Sequence, residues 1–79
     1  MSTILKARVR YFVVKHEGQW KIKLHDKHYG PYGTQRTAIR AAVDAAHEAG
    51  SDAQVLVQGE DNQFRVEWTY GHDPYPPPG

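Results

Sequence analysis

Histidine is the first residue type in this sequence that could carry chemistry, because five histidines occur among 79 residues and cysteine is absent. Zinc sites usually take their ligands from two pairs at defined spacing. Only His25 and His28 form a close pair, with Asp26 between them. The other histidines, His16, His47 and His72, are isolated along the chain. One loose pair is more typical of solvated loop residues, so we predict no metal site and no cofactor.

Catalytic motifs are missing from the sequence. It contains no pattern typical of serine hydrolases, zinc peptidases, phosphate-binding loops or dinucleotide-binding domains. The only serines are Ser2 and Ser51. Asp44 and Glu48, four residues apart on a predicted helix, are ordinary for an exposed helix surface. A chain of this length also leaves little volume for a pocket, so we expect no enzyme activity.

Basic residues are the remaining candidates, and they are unevenly distributed. The chain has ten basic and nine acidic residues, for a net charge of +1. All basic residues except Arg65 lie within the first 40 positions, and most acidic residues follow them. The nearly neutral total excludes a strongly basic polyanion-binding domain, whereas the local excess leaves a basic surface open.

The basic surface would lie on the outer face of a predicted sheet. Its candidate nucleic-acid-binding residues are Arg8, Arg10, Phe12, Lys21 and Lys23, with Arg65 nearby. Lysine and arginine contact phosphates and an aromatic ring stacks on bases in several single-strand binders. The alternative is a charged sheet face that only keeps the protein soluble. This alternative is favoured by the nearly neutral net charge, by the presence of a single well-placed ring and by the acidic Glu67. Nucleic-acid binding is therefore the second hypothesis.

The elements that would position these residues begin with two strands. Residues 8–16 are rich in β-branched and aromatic residues and are partly apolar on both faces, which predicts a central strand. Residues 20–25 alternate between apolar and polar side chains, and a turn at Gly18 joins the two segments. Residues 26–33 contain two glycines and a proline and are interpreted as a loop. A short extra strand around Tyr29 is an alternative that the sequence leaves open.

An alanine-rich helix is predicted over residues 34–50. Thr34 is a suitable N-cap and Gly50 a suitable C-terminal stop. Thr37 stands where a capping box has Glu or Gln, so the box is predicted to be incomplete. Arginines come early in the helix and acids late, opposite to the preference of the helix dipole. We therefore expect the helix to depend on packing of its apolar stripe against the sheet.

Two more strands are predicted after the helix, over residues 53–58 and 64–69. The assembled fold is α+β, with the order β-β-α-β-β: a four-stranded antiparallel sheet with one helix packed on one face. With the first strand central, the spatial order of the strands is second, first, third, fourth. The predicted core consists of Val9, Tyr11, Val13, Trp20, Ile22, Leu24, Ile39, Val43, Ala46, Val55, Val57, Phe64, Val66 and Trp68.

The chain is expected to form one domain over residues 1–79, with a loose N-terminus at 1–7 and a Pro-rich tail at 71–79. The tail is expected to fold back over the sheet rather than form a sticky patch with the exposed tyrosines. Without cysteine, a signal peptide or an apolar span of about 18 residues, a cytoplasmic protein with no membrane partner is expected. A homodimer is compatible with the sequence, because so small a core would gain from added burial.

Short motifs spread along the chain carry a family resemblance. They are Val13-Val14, Gly18-x-Trp20-x-Ile22, Thr34-Gln35-x-x-Ala38-Ile39-x-x-Ala42, Ala49-Gly50, Val55-x-Val57-x-Gly59 and Tyr70-Gly71-x-Asp73-Pro74-x-Pro76-Pro77-x-Gly79. With them, the chain resembles domain-of-unknown-function family 2188, a family of small bacterial proteins, from residue 9 onward. The resemblance implies a stand-alone bacterial domain and no particular activity, because the family is uncharacterised.

The sequence departs from the family pattern at two places. Asp61-Asn62 stands where the family usually has Asp-Gly, and no acid lies near Arg36 and Thr37 in the first helical turn. These departures affect the turn type and the helix cap rather than the fold. The sequence thus predicts a non-enzymatic binding or structural module, with accessory nucleic-acid binding through the outer sheet face as the alternative.

Overall fold

The computed structural model describes residues 9–50 and 52–78. It contains one helix and five strands, in the order β-β-β-α-β-β: β1 Val9–His16, β2 Gln19–Leu24, β3 Lys27–Tyr32, α1 Gln35–Ala49, β4 Ala53–Gln58 and β5 Phe64–Thr69. The expected loose N-terminus at 1–7, the candidate residue Arg8 and the last residue of the tail lie outside the described residues.

The strands form one mixed sheet in the order β3-β2-β1-β4-β5. Strand β1 pairs with β4 in parallel, and the other three pairings are antiparallel. The predicted four-stranded antiparallel sheet is therefore wrong, although the predicted order of those four strands is retained. The cause is β3: this additional strand reverses the chain before the helix, so β4 returns parallel to β1.

Strand β3 occupies the segment interpreted as a loop, and it settles the alternative around Tyr29. Proline cannot donate a hydrogen bond to a ladder, but an edge strand tolerates it. Pro31 lies in this edge strand, next to a register shift in its pairing with β2. Gly30 has φ of 123°, and a Cβ there would lie 3.0 Å from the Tyr32 ring. The glycine and proline therefore accompany a strand irregularity rather than a loop.

Helix α1 begins after Thr34 and ends before Gly50, as predicted. The predicted incomplete capping box is wrong. The Thr34 hydroxyl accepts from the Thr37 backbone N–H at 3.1 Å, and the Thr37 hydroxyl accepts from the Thr34 N–H at 3.2 Å. A threonine hydroxyl can accept as a Glu carboxylate does, so Thr37 completes the box.

The core lies between α1 and the sheet. Alanines at helical spacing, Ala38, Ala42 and Ala46, are fully buried and allow the helix to pack closely on the sheet. They meet Tyr11 and Val13 of β1, Ile22 of β2, Val55 and Val57 of β4, and Trp68 of β5. Most of the predicted core is confirmed, but Phe64 and Val66 are exposed instead.

A bulge in β5 explains why two predicted core residues lie outside. Val55 pairs with Trp68, but the next residue, Leu56, pairs with Val66, so Glu67 is an extra residue in the ladder. A one-residue shift moves side chains to the other face of a sheet. Trp68 therefore faces the helix, whereas Val66 and Phe64 face the opposite side.

Candidate nucleic-acid interface on the open sheet face

The candidate site is the sheet face opposite α1, called here the open face. Alternation along β1 and β2 places it: Val13 and Ile22 pair within the core, and the flanking pairs Phe12–Lys23 and Val14–Lys21 face the other way. Cross-strand partners share a face. Each lysine therefore lies beside an apolar β1 side chain.

Strands β4 and β5 extend the open face with apolar side chains. Phe12 pairs with Leu56, and Leu56 pairs with Val66. The rings of Phe12 and Phe64 meet edge to face, with centroids 5.2 Å apart and planes at 81°. Phe64 is 44% exposed and Val66 is 53% exposed. The open face therefore carries two aromatic rings where the sequence indicated one.

Basic residues occupy the β1–β2–β3 half of the open face. Arg10 pairs with Gln54 at the start of β1, and both Arg10 and Lys23 are exposed. His16 and His28 stack at the other end of the face, with ring centroids 4.1 Å apart. The Lys21 Nζ lies 3.4 Å from the His16 Nδ1. A shallow cavity of about 290 Å³ runs between this end and Phe64.

Acidic residues are absent from the strand positions of the open face that the structure describes. Glu17 lies in the β1–β2 turn, with its carboxylate 3.7 Å from Lys21 Nζ. Glu17 is strongly exposed, so this ion pair is weak. The electrostatic character of the face is therefore basic on one half and neutral on the other.

Arg65 does not lie with the other candidates. It pairs with Val57, a core residue, and therefore lies on the helix side of the sheet. There its Nε is 3.4 Å from Glu67, which also lies on the helix side, beside Trp68 and Ile39. The predicted positions of Arg65 beside the open face, and of Glu67 opposing its charges, are both wrong, and the β5 bulge is the reason. Of the six candidates, the structure thus brings together Arg10, Phe12, Lys21 and Lys23.

The described part of the Pro-rich tail packs on the helix side of the sheet. The Trp68 Nε1–H donates to the Pro74 carbonyl at 2.9 Å. The Tyr75 ring stacks on His47, with centroids 3.7 Å apart, and its hydroxyl donates to the Asp44 carboxylate at 2.8 Å. The Tyr75 hydrogen bond and the nearby Arg40 guanidinium hold the pKa of Asp44 below its ordinary value.

Metal binding and membrane insertion receive no support from the described residues. Within 9–50 and 52–78, no group of three or more metal-binding side chains is close enough to hold an ion. His16 and His28 form the closest histidine pair, rather than the sequence neighbours His25 and His28. In the same ranges, no helix has the length and apolar character needed to cross a membrane.

The comparison with known families gives one match. The model of DUF2188, described as an uncharacterized protein conserved in bacteria, matches residues 11–70, well over half of the chain. The fold is that of a small α+β domain. The chain is a member of the DUF2188 family, which is conserved in bacteria. Neither the curated proteins nor the solved structures give a significant match.

Members of this face that were not predicted from the sequence include Phe64, Val66, His16 and His28. Alternation through Trp68 placed Phe64 in the core, and no local signal marks the bulge that moves it. The histidine pair joins β1 to β3, and a loop interpretation of β3 gave no reason to bring the two rings together. The only sequence signal for the His16–His28 pair was the alternative strand around Tyr29.

Proposed function

We propose that this protein is a non-enzymatic binding module and that its open face binds single-stranded nucleic acid. The observation that carries the proposal is the pair of rings, Phe12 and Phe64, beside a basic half-face with no acidic strand residue among those described. The non-enzymatic part rests on the sequence, which contains no catalytic motif.

The arrangement suits a single strand because it separates two kinds of contact. Arg10, Lys21 and Lys23 supply three positive charges for phosphates, and the neighbouring rings supply surfaces for bases. Stacking on aromatic rings contributes about 1–3 kcal/mol per base and tolerates any sequence. Bases inside a duplex are not available for such stacking, so the face favours an unpaired strand.

Exposure of the apolar half also supports a binding role. Phe64 and Val66 are much more exposed than the apolar residues on the helix side. Contiguous exposed apolar patches on soluble domains often mark interaction sites. Phe64 and Lys23 line the same shallow cavity. This combination favours a ligand that is both apolar and anionic, which describes an unpaired nucleic-acid strand. A second copy of the chain would bring lysines against lysines, and is the less favoured occupant.

Binding is tested by fluorescence anisotropy with a labelled oligo(dT) of about 12 nucleotides, long enough for a site of this kind. Three phosphate contacts predict a slope of log K against log salt of about −2. Lys21→Gln with Lys23→Gln should weaken binding at low salt and reduce the slope by about 1.4. The matched control is Arg36→Gln with Arg65→Gln, which removes the same charge from the helix side and should change binding little.

Three outcomes would overturn the proposal. They are no binding of the unmodified protein at low salt, equal weakening in both double variants, and preference for a duplex of the same length. Light scattering of the same samples tests whether a second copy of the chain occupies the open face instead. If Phe64→Ala converts a dimer into a monomer, the open face is a self-association surface instead.

A further inference from the structure

A second feature of the open face is a cluster of nitrogen-bearing side chains drawn from three adjacent strands. It is called here the histidine–lysine cluster, and it consists of His16, Lys21, Lys23 and His28. Strand β2 lies between β1 and β3. Because His16 and His28 come from its two neighbours and their rings are stacked, the rings meet above β2. The two lysines of β2 lie beside them.

We propose that the histidine–lysine cluster is a phosphate-binding subsite of the open face and that a phosphodiester bound there draws a proton onto His28. This inference rests on the proposed function, because it assigns one phosphate of the bound strand to this end of the face. It predicts that binding becomes stronger as the pH falls.

The first support is the hydrogen bond between Lys21 and His16. Lysine ammonium has no acceptor capacity, so at 3.4 Å it is Lys21 Nζ that donates and His16 Nδ1 that accepts. This bond holds the Lys21 ammonium beside the stacked rings of His16 and His28. The cluster therefore places lysine charge beside both imidazoles, because Lys21 contacts His16 and Lys23 pairs with His28.

The second support is the environment of His28. Partial desolvation lowers the pKa of its imidazole, and the electrostatic interactions with His16, Lys23 and Lys21 lower it further. Glu17 is the one acid that acts in the opposite direction, and it is exposed. Lys15 borders the same cavity, with its Nζ 5.0 Å from the centre of the Trp20 ring. The other neighbours, Phe12, Val14, Gln58 and Phe64, are uncharged.

A bound phosphodiester would remove the reason for the low pKa of His28. Its negative charge offsets the repulsion from the lysines and accepts hydrogen bonds from a protonated imidazole. The pKa of His28 then rises on binding, and the complex holds more protons than the free protein. By linkage, affinity is highest at low pH and falls as the pH rises through the titration of His28, by at most about tenfold per pH unit for one proton.

The experiment is the oligo(dT) titration repeated between about pH 5.5 and pH 8 at constant ionic strength, a range centred on the ordinary pKa of histidine. A phosphodiester lacks the second ionisation of a phosphate monoester, and thymine does not titrate in this range, so a pH dependence reports on the protein. We expect affinity to fall as the pH rises. The variant His28→Asn, which keeps a hydrogen-bond donor but cannot take up a proton, should flatten this dependence.

His72→Asn is the matched control, because His72 is an exposed histidine beyond β5. It should leave the pH dependence unchanged. Circular dichroism checks that each variant is folded. A histidine-resolved NMR titration adds a direct reading: bound oligo(dT) should move the titration midpoint of His28 to higher pH.

The outcomes separate this inference from the proposed function. If the unmodified protein binds no oligo(dT) at any pH, both are wrong. If it binds with an affinity independent of pH, or if His28→Asn keeps the full dependence, only the subsite inference is wrong. An unchanged His28 midpoint in the presence of bound oligo(dT) would overturn it equally.

Discussion

The two faces of the sheet come from the same strands, yet they differ in what covers them. On the helix side, buried alanines bring α1 close to β1 and β4. Pro74 and Tyr75 of the Pro-rich tail cover Trp68. On the open face, no described helix or tail residue packs over Phe64 and Val66. Among the described residues, one face of the sheet is thus packed against the helix and the tail, and the other face is left uncovered.

The position of Phe64 and Val66 on the open face depends on a single extra residue in β5. Without the bulge at Glu67, the alternation of this strand would place Phe64 and Val66 with Trp68 on the helix side. With it, two apolar side chains lie among the open-face residues of β1 and β4, and Arg65 is moved away from them. Substitutions in β5 can therefore test the two faces separately.

The largest effect is expected on the helix side. Trp68→Ala removes a side chain that is 3% exposed and a hydrogen bond to the tail, and should cost about 3–5 kcal/mol of unfolding free energy. Urea unfolding measures it. The control, Val66→Ala, lies two residues earlier on the open face and should change stability by less than about 0.5 kcal/mol. Similar losses in both variants would contradict the division of the faces.

A second effect is expected on the open face and should appear in binding rather than in stability. Phe64→Ala removes one of the two rings and should weaken oligo(dT) affinity by about 1–3 kcal/mol, or roughly five- to 150-fold. Its urea midpoint should change little, because the ring is substantially exposed. Phe64→Tyr keeps a stacking surface and serves as the control. Normal affinity in Phe64→Ala would show that the rings do not bind bases.

The smallest effect concerns the tail and its response to acid. The hydrogen bond from Tyr75 lowers the pKa of Asp44, and the interactions with Arg40 lower it further. The Asp44 carboxyl therefore holds its proton less tightly in the folded protein than in the unfolded one. Ionised Asp44 therefore stabilises the folded protein above the pKa of an unfolded aspartate, about 3.9. This stabilisation is lost as the pH falls through the lower pKa of Asp44 in the folded protein. We expect Tyr75→Phe, which keeps the ring on His47, to lower the urea midpoint slightly at neutral pH.

The acid response of this variant completes the test. Below the folded pKa of Asp44 the variant and the unmodified protein should have converging urea midpoints, because the carboxylate is protonated in both. Tyr29→Phe, an exposed ring on β3, is the control and should match the unmodified protein across the whole range. A Tyr75→Phe difference that persists unchanged in acid would show that the Asp44 hydrogen bond is not its source.

The sequence predicted those parts of the fold in which the local pattern and the packing agree. Thr34 and Gly50 bound the helix in the sequence and in the structure. The alternation of β2 and the two-sided apolar character of β1 placed Phe12, Lys21 and Lys23 on one face. Each of these features depends on side-chain order within a single element, which a sequence displays directly.

The remaining features depend on contacts between elements. A segment with Gly30 and Pro31 has the composition of a loop, and it forms an edge strand because β2 offers it a partner. The direction of β4 follows from that strand, so one missed element also changed the sheet from antiparallel to mixed. The bulge at Glu67 interrupts a perfect apolar–polar alternation, and the residues of β5 give no indication of it.

Binding of an unpaired strand to the open face can be observed residue by residue in an amide-resolved NMR titration. Oligo(dT) is added at two salt concentrations, and shifts are mapped onto the two faces of the sheet. We expect shifts that weaken with salt at Arg10, Phe12, Lys21, Lys23 and Phe64, with α1 and the tail unchanged. Shifts centred on α1 or the tail, or no shifts at low salt, would contradict it.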